Sequence, residues 1–193
     1  GGHVTHIFFC AYGQRPSYAS EVCEPIWAGM EDIDHYDKTH NIWCINTKLL
    51  YDNGIDPYHV WIKRTRERGV SPWVSMRMND LHFITKENYF RTCNFWREHP
   101  ELRRNPTAEN PSWADYALDY SKEPVREYHF RVFKELVDRY EPDGIELDWM
   151  RFQWHLTPGQ EREQAHFITD FIRRCREYAC EASRRCGHGI SLS

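Results

Sequence analysis

The sequence predicts an α/β fold in which parallel strands alternate with helices, and three observations lead to this prediction. Segments rich in β-branched and aromatic residues alternate with segments whose apolar residues recur at the helical period. The chain has 193 residues, fewer than the roughly 250 of a complete (β/α)8 barrel. The last segment reads as the start of a strand. The strand-like segments are residues 4–12, 70–78, 145–149 and 190–192.

Alternating strands and helices connect through right-handed crossovers into a parallel sheet. A doubly wound sheet and a TIM barrel both satisfy this pattern. We interpret the chain as a partial TIM barrel in which residues 1–193 form one domain. We expect this domain to be incomplete at its C-terminus and also at its N-terminus, and to need the remaining strands or an oligomer to cover its edges.

Caps and apolar stripes predict the helices between these strands. Asp56 followed by Pro57 is typical of a helix start, and Gly69 of a helix end. Residues 123–140 and 159–185 each carry an apolar stripe with a period of 3.6 residues.

The connections 14–54 and 81–120 are long and weakly periodic. Within the first of them, the apolar run Ile-Trp-Cys-Ile at residues 42–45 predicts a short strand.

Composition limits the classes of partner. The net charge is −4 and no basic stripe is present, so we expect no nucleic-acid partner. No apolar run reaches the roughly 18 residues of a membrane span, so we expect no membrane partner. The chain is rich in aromatic residues, with 8 Trp, 11 Tyr and 10 Phe. Aromatic faces stack on the C–H faces of sugar rings, but half or more of these residues are expected to be ordinary core, so composition gives only a hint of a carbohydrate partner.

The seven cysteines are odd in number and scattered, which favours buried, reduced thiols over a disulfide framework. Cys175, Cys180 and Cys186 with His188 form the alternative, a metal cluster. That alternative is disfavoured because the cysteines fit one long helix and its end and no CxxC motif is present. Cysteine usage leaves the cellular compartment open.

The clearest candidate site residues lie in the segment Gly144–Trp149. A strand's period of two places Glu146 and Asp148 on one face, with Trp149 on the other. Burying two neighbouring acids costs several kcal/mol unless cations or hydrogen bonds compensate, so selection for stability alone rarely produces the pair. Arg151 is the candidate compensating cation. The competing interpretation is a salt-bridged pair that braces the interior.

A second polar group follows the preceding strand. Arg77 and Asn79 share one strand face, and Asp80 and His82 lie in the loop beyond. Reactive residues of parallel α/β folds lie at the carboxyl ends of strands, so these side chains are candidates for substrate binding. The alternative is a plain Asn-Asp turn with a surface histidine. Tryptophans near the same strand ends are candidate sugar platforms: Trp96, Trp113, Trp149 and Trp154.

In several segments the sequence resembles glycosidase-like barrel proteins that carry a "DP…AH..G" pattern before a strand. The matching segments are residues 18–25, 56–57, 67–70, 75–82, 117–121, 125–126 and 143–151. The usual "AH" pair is replaced by Arg64-Thr65-Arg66, so any role of that histidine is absent here. The resemblance implies that the visible strands are strands 2 to 5 of the barrel. It also implies a secreted or periplasmic location.

Many sugar-cleaving barrels, such as those resembling α-amylase or melibiase, place a carboxylate nucleophile at the end of strand four, which corresponds to Asp148. The resemblance therefore implies glycosidic bond hydrolysis, with Asp148 as nucleophile and Glu146 as its neighbour. The acid/base is expected outside this chain. Substrate contacts are expected from Arg77, Asn79, Asp80, His82, Trp149 and Arg151. No cofactor or metal is expected in this interpretation.

Two other hypotheses remain open. One is a metal-dependent hydrolase in which Asp80, His82 and Asp148 are ligands at the barrel mouth. The other is a non-catalytic barrel that binds carbohydrate.

Overall fold

The computed structural model describes residues 2–29, 38–86 and 89–193. A parallel sheet of four strands forms its centre, in the order β1-β2-β3-β4. Every neighbouring pair is parallel, which confirms the predicted strand arrangement. The strands are β1 His6–Tyr12, β2 Ser71–Arg77, β3 Gly144–Asp148 and β4 Ser191–Leu192.

Three of the helices are those that the caps and stripes predict. Asp56 caps α2 by accepting a hydrogen bond from the backbone N–H of Tyr58, and Gly187 ends α5 in the left-handed conformation. In the part of the chain that the structure describes, no helix has the length and apolarity to cross a membrane. The helices are α1 Lys38–Asp52, α2 Pro57–Glu67, α3 Asn94–Glu98, α4 Glu123–Tyr140 and α5 Glu161–Cys186, with 3-10 turns at Pro100–Leu102 and Trp113–Tyr116.

The short strand predicted at residues 42–45 is wrong, because these residues lie inside α1. A run of four apolar residues does not distinguish a strand from a helix by itself. The burial pattern shows the helical period: Cys44 and Thr47 are buried, whereas Trp43 and Ile45 are exposed. One face of α1 therefore packs inward, and the apolar run is divided between both faces.

Helices α2, α4 and α5 cover one face of the sheet and form the core with it. Strand residues Val74 and Ile145 are fully buried in the same cluster as Leu136 of α4 and Phe171 of α5. The apolar stripe of α4 faces this cluster along its whole length, as its period predicts. The helical layer therefore fixes which strand face is left for polar residues.

On the other face of the sheet, residues from neighbouring strands form three rows. The first row consists of Phe8, Trp73 and Gly144, the second of Cys10, Ser75 and Glu146, and the third of Arg77 and Asp148. These rows run from the amino to the carboxyl ends of the strands. The row with two charged side chains, Arg77 and Asp148, thus lies at the carboxyl ends of the strands, where parallel α/β folds carry their functional sites.

Gly144 is required by the tryptophan beside it. A Cβ at this position would lie 2.4 Å from the indole of Trp73, which itself donates a hydrogen bond to Ser71 Oγ at 3.0 Å. We expect Gly144→Ala to lower the free energy of unfolding by about 1–3 kcal/mol, because the indole must shift. Urea unfolding measures the loss. Gly189→Ala is the matched control, since nothing lies within 4 Å of a Cβ there.

Candidate active site

Asp148 and Arg77 lie side by side at the carboxyl ends of two neighbouring strands. They are register partners, and the backbone N–H of Met78 donates to the carbonyl of Asp148 at 3.1 Å. The carboxylate of Asp148 is half-buried, and its Oδ1 accepts from the backbone N–H groups of Met150 (3.2 Å) and Arg151 (2.9 Å). Within the described residues, Oδ2 of Asp148 has no hydrogen-bond partner. One carboxylate oxygen is therefore held while the other is free.

Glu146 lies one row deeper on the same face and is also half-buried. Arg151, the candidate compensating cation, does not pair with it: among the residues that the structure describes, the Glu146 carboxylate has neither a hydrogen bond nor an ion pair. Asp148 does not form an ion pair with Arg151 either, and contacts only its backbone. The two acids are therefore not a salt-bridged brace of the interior.

Asp80 is the centre of a charged network at the same strand ends. Its side chain is 3% exposed and receives Arg77 Nη1 at 2.8 Å and Arg91 Nη2 at 3.4 Å on one oxygen. The other oxygen accepts from the ring and the backbone N–H of His82. Burial opposes ionisation, but the hydrogen bonds of His82 and Arg77 with the charge of Arg91 hold the pKa of Asp80 well below its usual range. Asp80 is thus a fixed anion that orients its neighbours.

His82 connects Asp80 to Arg151. The Nε2 atom of His82 lies 2.6 Å from Nη2 of Arg151, which can only donate. Nε2 therefore accepts, and Nδ1 carries the proton that His82 donates to Asp80. The chain of contacts Asp80–His82–Arg151 connects the loop after β2 with the loop after β3.

The segment that follows β1 packs closely against Asp80. A Cβ on Gly13 would lie 2.9 Å from Oδ2 of Asp80, so only glycine fits beside the network. Gln14 follows, and its side chain donates to the carbonyl of Asp80 at 2.7 Å while accepting from the backbone N–H of Cys93 at 3.2 Å. These two residues hold Asp80 from the side of β1.

Asn79 lies beneath the site, 4% exposed, with its amide fully engaged. Its Nδ2 lies 3.0 Å from the carbonyls of Leu118 and Trp154 and 3.1 Å from Nδ1 of His155. Its Oδ1 accepts from the backbone N–H of Leu118 at 3.0 Å. Asn79 therefore joins two loops and does not reach the open face beside Asp148.

His155 completes this junction only in its neutral form. Its Nε2 donates to the carbonyl of Trp149 at 2.8 Å, so Nδ1 accepts from Asn79. Burial lowers the pKa of His155 to about 4, and burial lowers that of His129 to about 4 as well. Both values lie below the ordinary histidine value of about 6.5.

Stability is therefore expected to fall on mild acidification. The unfolded chain binds protons below about pH 6.5 that the folded histidines refuse until about pH 4, so their contribution is present above pH 6.5 and lost between these values. From pH 7.5 to pH 5, each histidine is expected to remove about 2 kcal/mol from the free energy of unfolding. His155→Gln should reduce the loss by about half in urea titrations at the two pH values. A variant with the full wild-type loss would contradict the assignment.

The structure separates the four candidate tryptophans. Trp96 is buried and donates to the carbonyl of Tyr116 at 2.7 Å. Trp149 packs against Tyr120 and Phe171 on the helical side of the sheet, as strand alternation predicts, and is not brought to the charged group. Trp113 and Trp154 lie together, with ring centroids 4.5 Å apart.

Neither proposed metal cluster is assembled. Within residues 2–29, 38–86 and 89–193, no three His, Cys, Asp or Glu side chains are grouped so as to hold a metal ion. Both ring nitrogens of His82 are engaged, and Cys175 is buried in the core while Cys180 is exposed.

Two residues of this site were missed at the level of sequence. Arg91, which contacts Asp80 and lies over the ring of Trp43 at 5.3 Å, comes from the long connection 81–120. His155, which holds Asn79, comes from the loop after β3. Neither residue belongs to a periodic pattern or a motif in the sequence. They reach the strand ends because of how the long loops fold.

Comparison with known proteins supports the fold. No family model and no curated protein matches the sequence. Alpha-L-fucosidase isoenzyme 2 from Paenibacillus thiaminolyticus matches with a TM-score of 0.58 and 15% identity, over 99% of this chain and 27% of that one. The galactosidase domain of the alpha-galactosidase–sucrose kinase AgaSK matches with a TM-score of 0.44 and 17% identity, over 72% and 18%.

A variant of the GH36 alpha-galactosidase AgaA from Geobacillus stearothermophilus matches with a TM-score of 0.38 and 17% identity, over 68% of this chain and 18% of that one. At these identities the likeness concerns the fold alone. The match to the fucosidase, with its TM-score of 0.58, is the one that supports the fold. The chain has a glycosidase-like fold and spans 27% of that fucosidase's length.

Proposed function

We propose that this chain is part of a glycoside hydrolase in which Asp148 is the nucleophile. The observation that carries the proposal is the state of the Asp148 carboxylate. Two backbone N–H groups hold Oδ1, and Oδ2 is free among the described residues, on the open face beside Arg77. An oriented carboxylate with one free oxygen at a strand's carboxyl end suits attack on an anomeric carbon.

In the proposed reaction, Oδ2 of Asp148 forms a bond to the anomeric carbon while the bond from that carbon to the leaving oxygen breaks. A carboxylic acid outside this chain protonates the leaving oxygen, and in the second step it takes a proton from the attacking water. Water then releases Asp148, so the configuration is retained. A retaining site places its two carboxyl groups about 5 Å apart.

Neighbouring residues receive roles that follow from their contacts. Arg77, His82 and Arg151 are proposed to bind sugar hydroxyls, because their polar groups line the open strand ends. Asp80 is proposed to position them rather than to contact sugar, since its carboxylate is buried and engaged by three side chains.

Glu146 is proposed to act electrostatically. Its carboxylate has no partner among the described residues and lies one row below Asp148, where it would stabilise the positive charge that develops on the sugar ring. The fold likeness to a fucosidase supports a carbohydrate substrate.

The direct test is turnover by the intact protein on 4-nitrophenyl glycosides, including the α-L-fucoside and the α-D-galactoside. We expect release of nitrophenol from at least one of them, with retained configuration in the product seen by NMR. Sugar binding without any release would favour the non-catalytic carbohydrate-binding barrel. Inverted product would contradict Asp148 as a nucleophile.

A further inference from the structure

Three aromatic side chains form a group beside the carboxyl ends of the strands, outside the charged network around Asp80. Trp113 lies 4.5 Å from Trp154 and 5.7 Å from Phe152 between ring centroids, nearly perpendicular to both at 82° and 73°. We call these three residues the aromatic platform. Trp113 is 44% exposed, whereas Phe152 and Trp154 are partly buried against the core. A tryptophan that packs against two aromatic rings but leaves nearly half of its surface exposed is not typical of a hydrophobic core.

The segment carrying Trp113 is held firmly. Trp113 begins the 3-10 turn Trp113–Tyr116, which is closed by a capping box: the backbone N–H and the hydroxyl of Ser112 each donate to Oδ2 of Asp115 at 2.8 Å. A rigid aromatic side chain loses little conformational entropy when a ligand stacks on it. The turn that carries Trp113 is therefore fixed by its own hydrogen bonds.

The platform is continuous with the proposed reaction site. The ring of Phe152 lies 5.0 Å from that of His82, and the guanidinium of Arg151 lies 5.8 Å from the Phe152 ring centroid. His82 and Arg151 are the residues that connect to Asp80. Among the described residues, the indole N–H groups of Trp113 and Trp154 have no hydrogen-bond acceptor. The platform thus offers apolar ring faces, two free donors and a cation nearby.

We infer that the aromatic platform is a second sugar subsite, which binds a neutral pyranose of an oligosaccharide next to the sugar at Asp148. The C–H face of the pyranose stacks on Trp113, and its hydroxyls accept from the indole N–H groups and from Arg151. The choice of a sugar as ligand rests on the proposed function. A purely apolar partner would leave the indole donors and Arg151 unmatched.

The test measures binding separately from turnover. The Asp148→Asn form of the intact protein is applied to immobilised neutral oligosaccharides of two to six units built from L-fucose, D-galactose and D-glucose. We expect Trp113→Ala in this background to weaken binding of at least one oligosaccharide by tenfold or more, and Trp113→Phe to restore part of it. Trp61→Ala is the matched control: Trp61 is 45% exposed but lies on α2, stacked on Phe9. Circular dichroism checks folding.

The outcomes separate the two proposals. Turnover that depends on Asp148, with oligosaccharide affinity unchanged in Trp113→Ala, overturns the subsite alone. Oligosaccharide binding that requires Trp113, without turnover by the wild-type protein, removes the hydrolase proposal and keeps the subsite. Equal losses in the Trp113 and Trp61 variants, or no binding by the Asp148→Asn form to any oligosaccharide, also overturn the subsite.

Discussion

Asp148→Asn is expected to lower the turnover number of the intact protein by roughly 10³-fold or more, with sugar binding retained. The substitution keeps the shape and the acceptor oxygen that the N–H groups of Met150 and Arg151 require, and it removes the nucleophilic charge. Each factor of ten corresponds to about 1.4 kcal/mol of transition-state stabilisation, so the loss is about 4 kcal/mol or more. Steady-state kinetics on the best nitrophenyl glycoside, with the dissociation constant of the sugar, measures both quantities.

Two other carboxylates of the same strand region set the scale for this loss, and Asp143 is the control. Asp143 precedes the same strand at its opposite end and pairs with Arg66 at 2.7 Å, so Asp143→Asn should leave turnover nearly unchanged. Glu146→Gln should lose only part of the rate, because it acts through space. Near-normal turnover in Asp148→Asn would end the assignment, as would an equal loss in Asp143→Asn.

The main elements of the fold could be predicted because each has a local cause. The cap at Asp56–Pro57, the stripe of α4 and the alternation of β3 are properties of a few consecutive residues. The same alternation placed Glu146 and Asp148 on the face away from the helices, in register with Ser75 and Arg77. α1 was misassigned, since its apolar run is short and its helical burial depends on tertiary contacts, and the short helix α3 was missed inside the connection 81–120.

The partners of the candidate site residues could not be predicted in the same way. Asn79, Asp80 and His82 read alike in the sequence, as polar residues after a strand. In the structure Asp80 is surrounded by two arginines and a histidine, whereas His82 spans to Arg151, 69 positions away. Asn79 turns inward to backbone groups of two loops. Such contacts depend on how the long loops fold, and no period in the sequence encodes that.

Whether a polar residue after β2 binds sugar or holds loops together can be tested at Asn79. The sequence predicted sugar binding there, and the structure shows a junction between two loops. Asn79→Ala is expected to lower the free energy of unfolding by about 3 kcal/mol, because it leaves buried groups of Leu118 and Trp154 without partners. Urea unfolding at pH 7.5 measures this loss. Asn53→Ala is the matched control, since Asn53 donates one exposed hydrogen bond to Leu49, and it should cost well under 1 kcal/mol.

The kinetic consequence of Asn79→Ala separates the two roles. A junction residue acts through the loops, so the folded fraction of the variant should bind sugar with nearly the wild-type KM at low temperature, where the protein remains folded. A residue that bonds a sugar hydroxyl would instead raise KM at little cost in stability, because its absence would leave no buried partner unsatisfied. A raised KM with unchanged urea unfolding would therefore return Asn79 to the substrate-binding group. It would also show that the engaged amide exchanges its partners for those of a sugar.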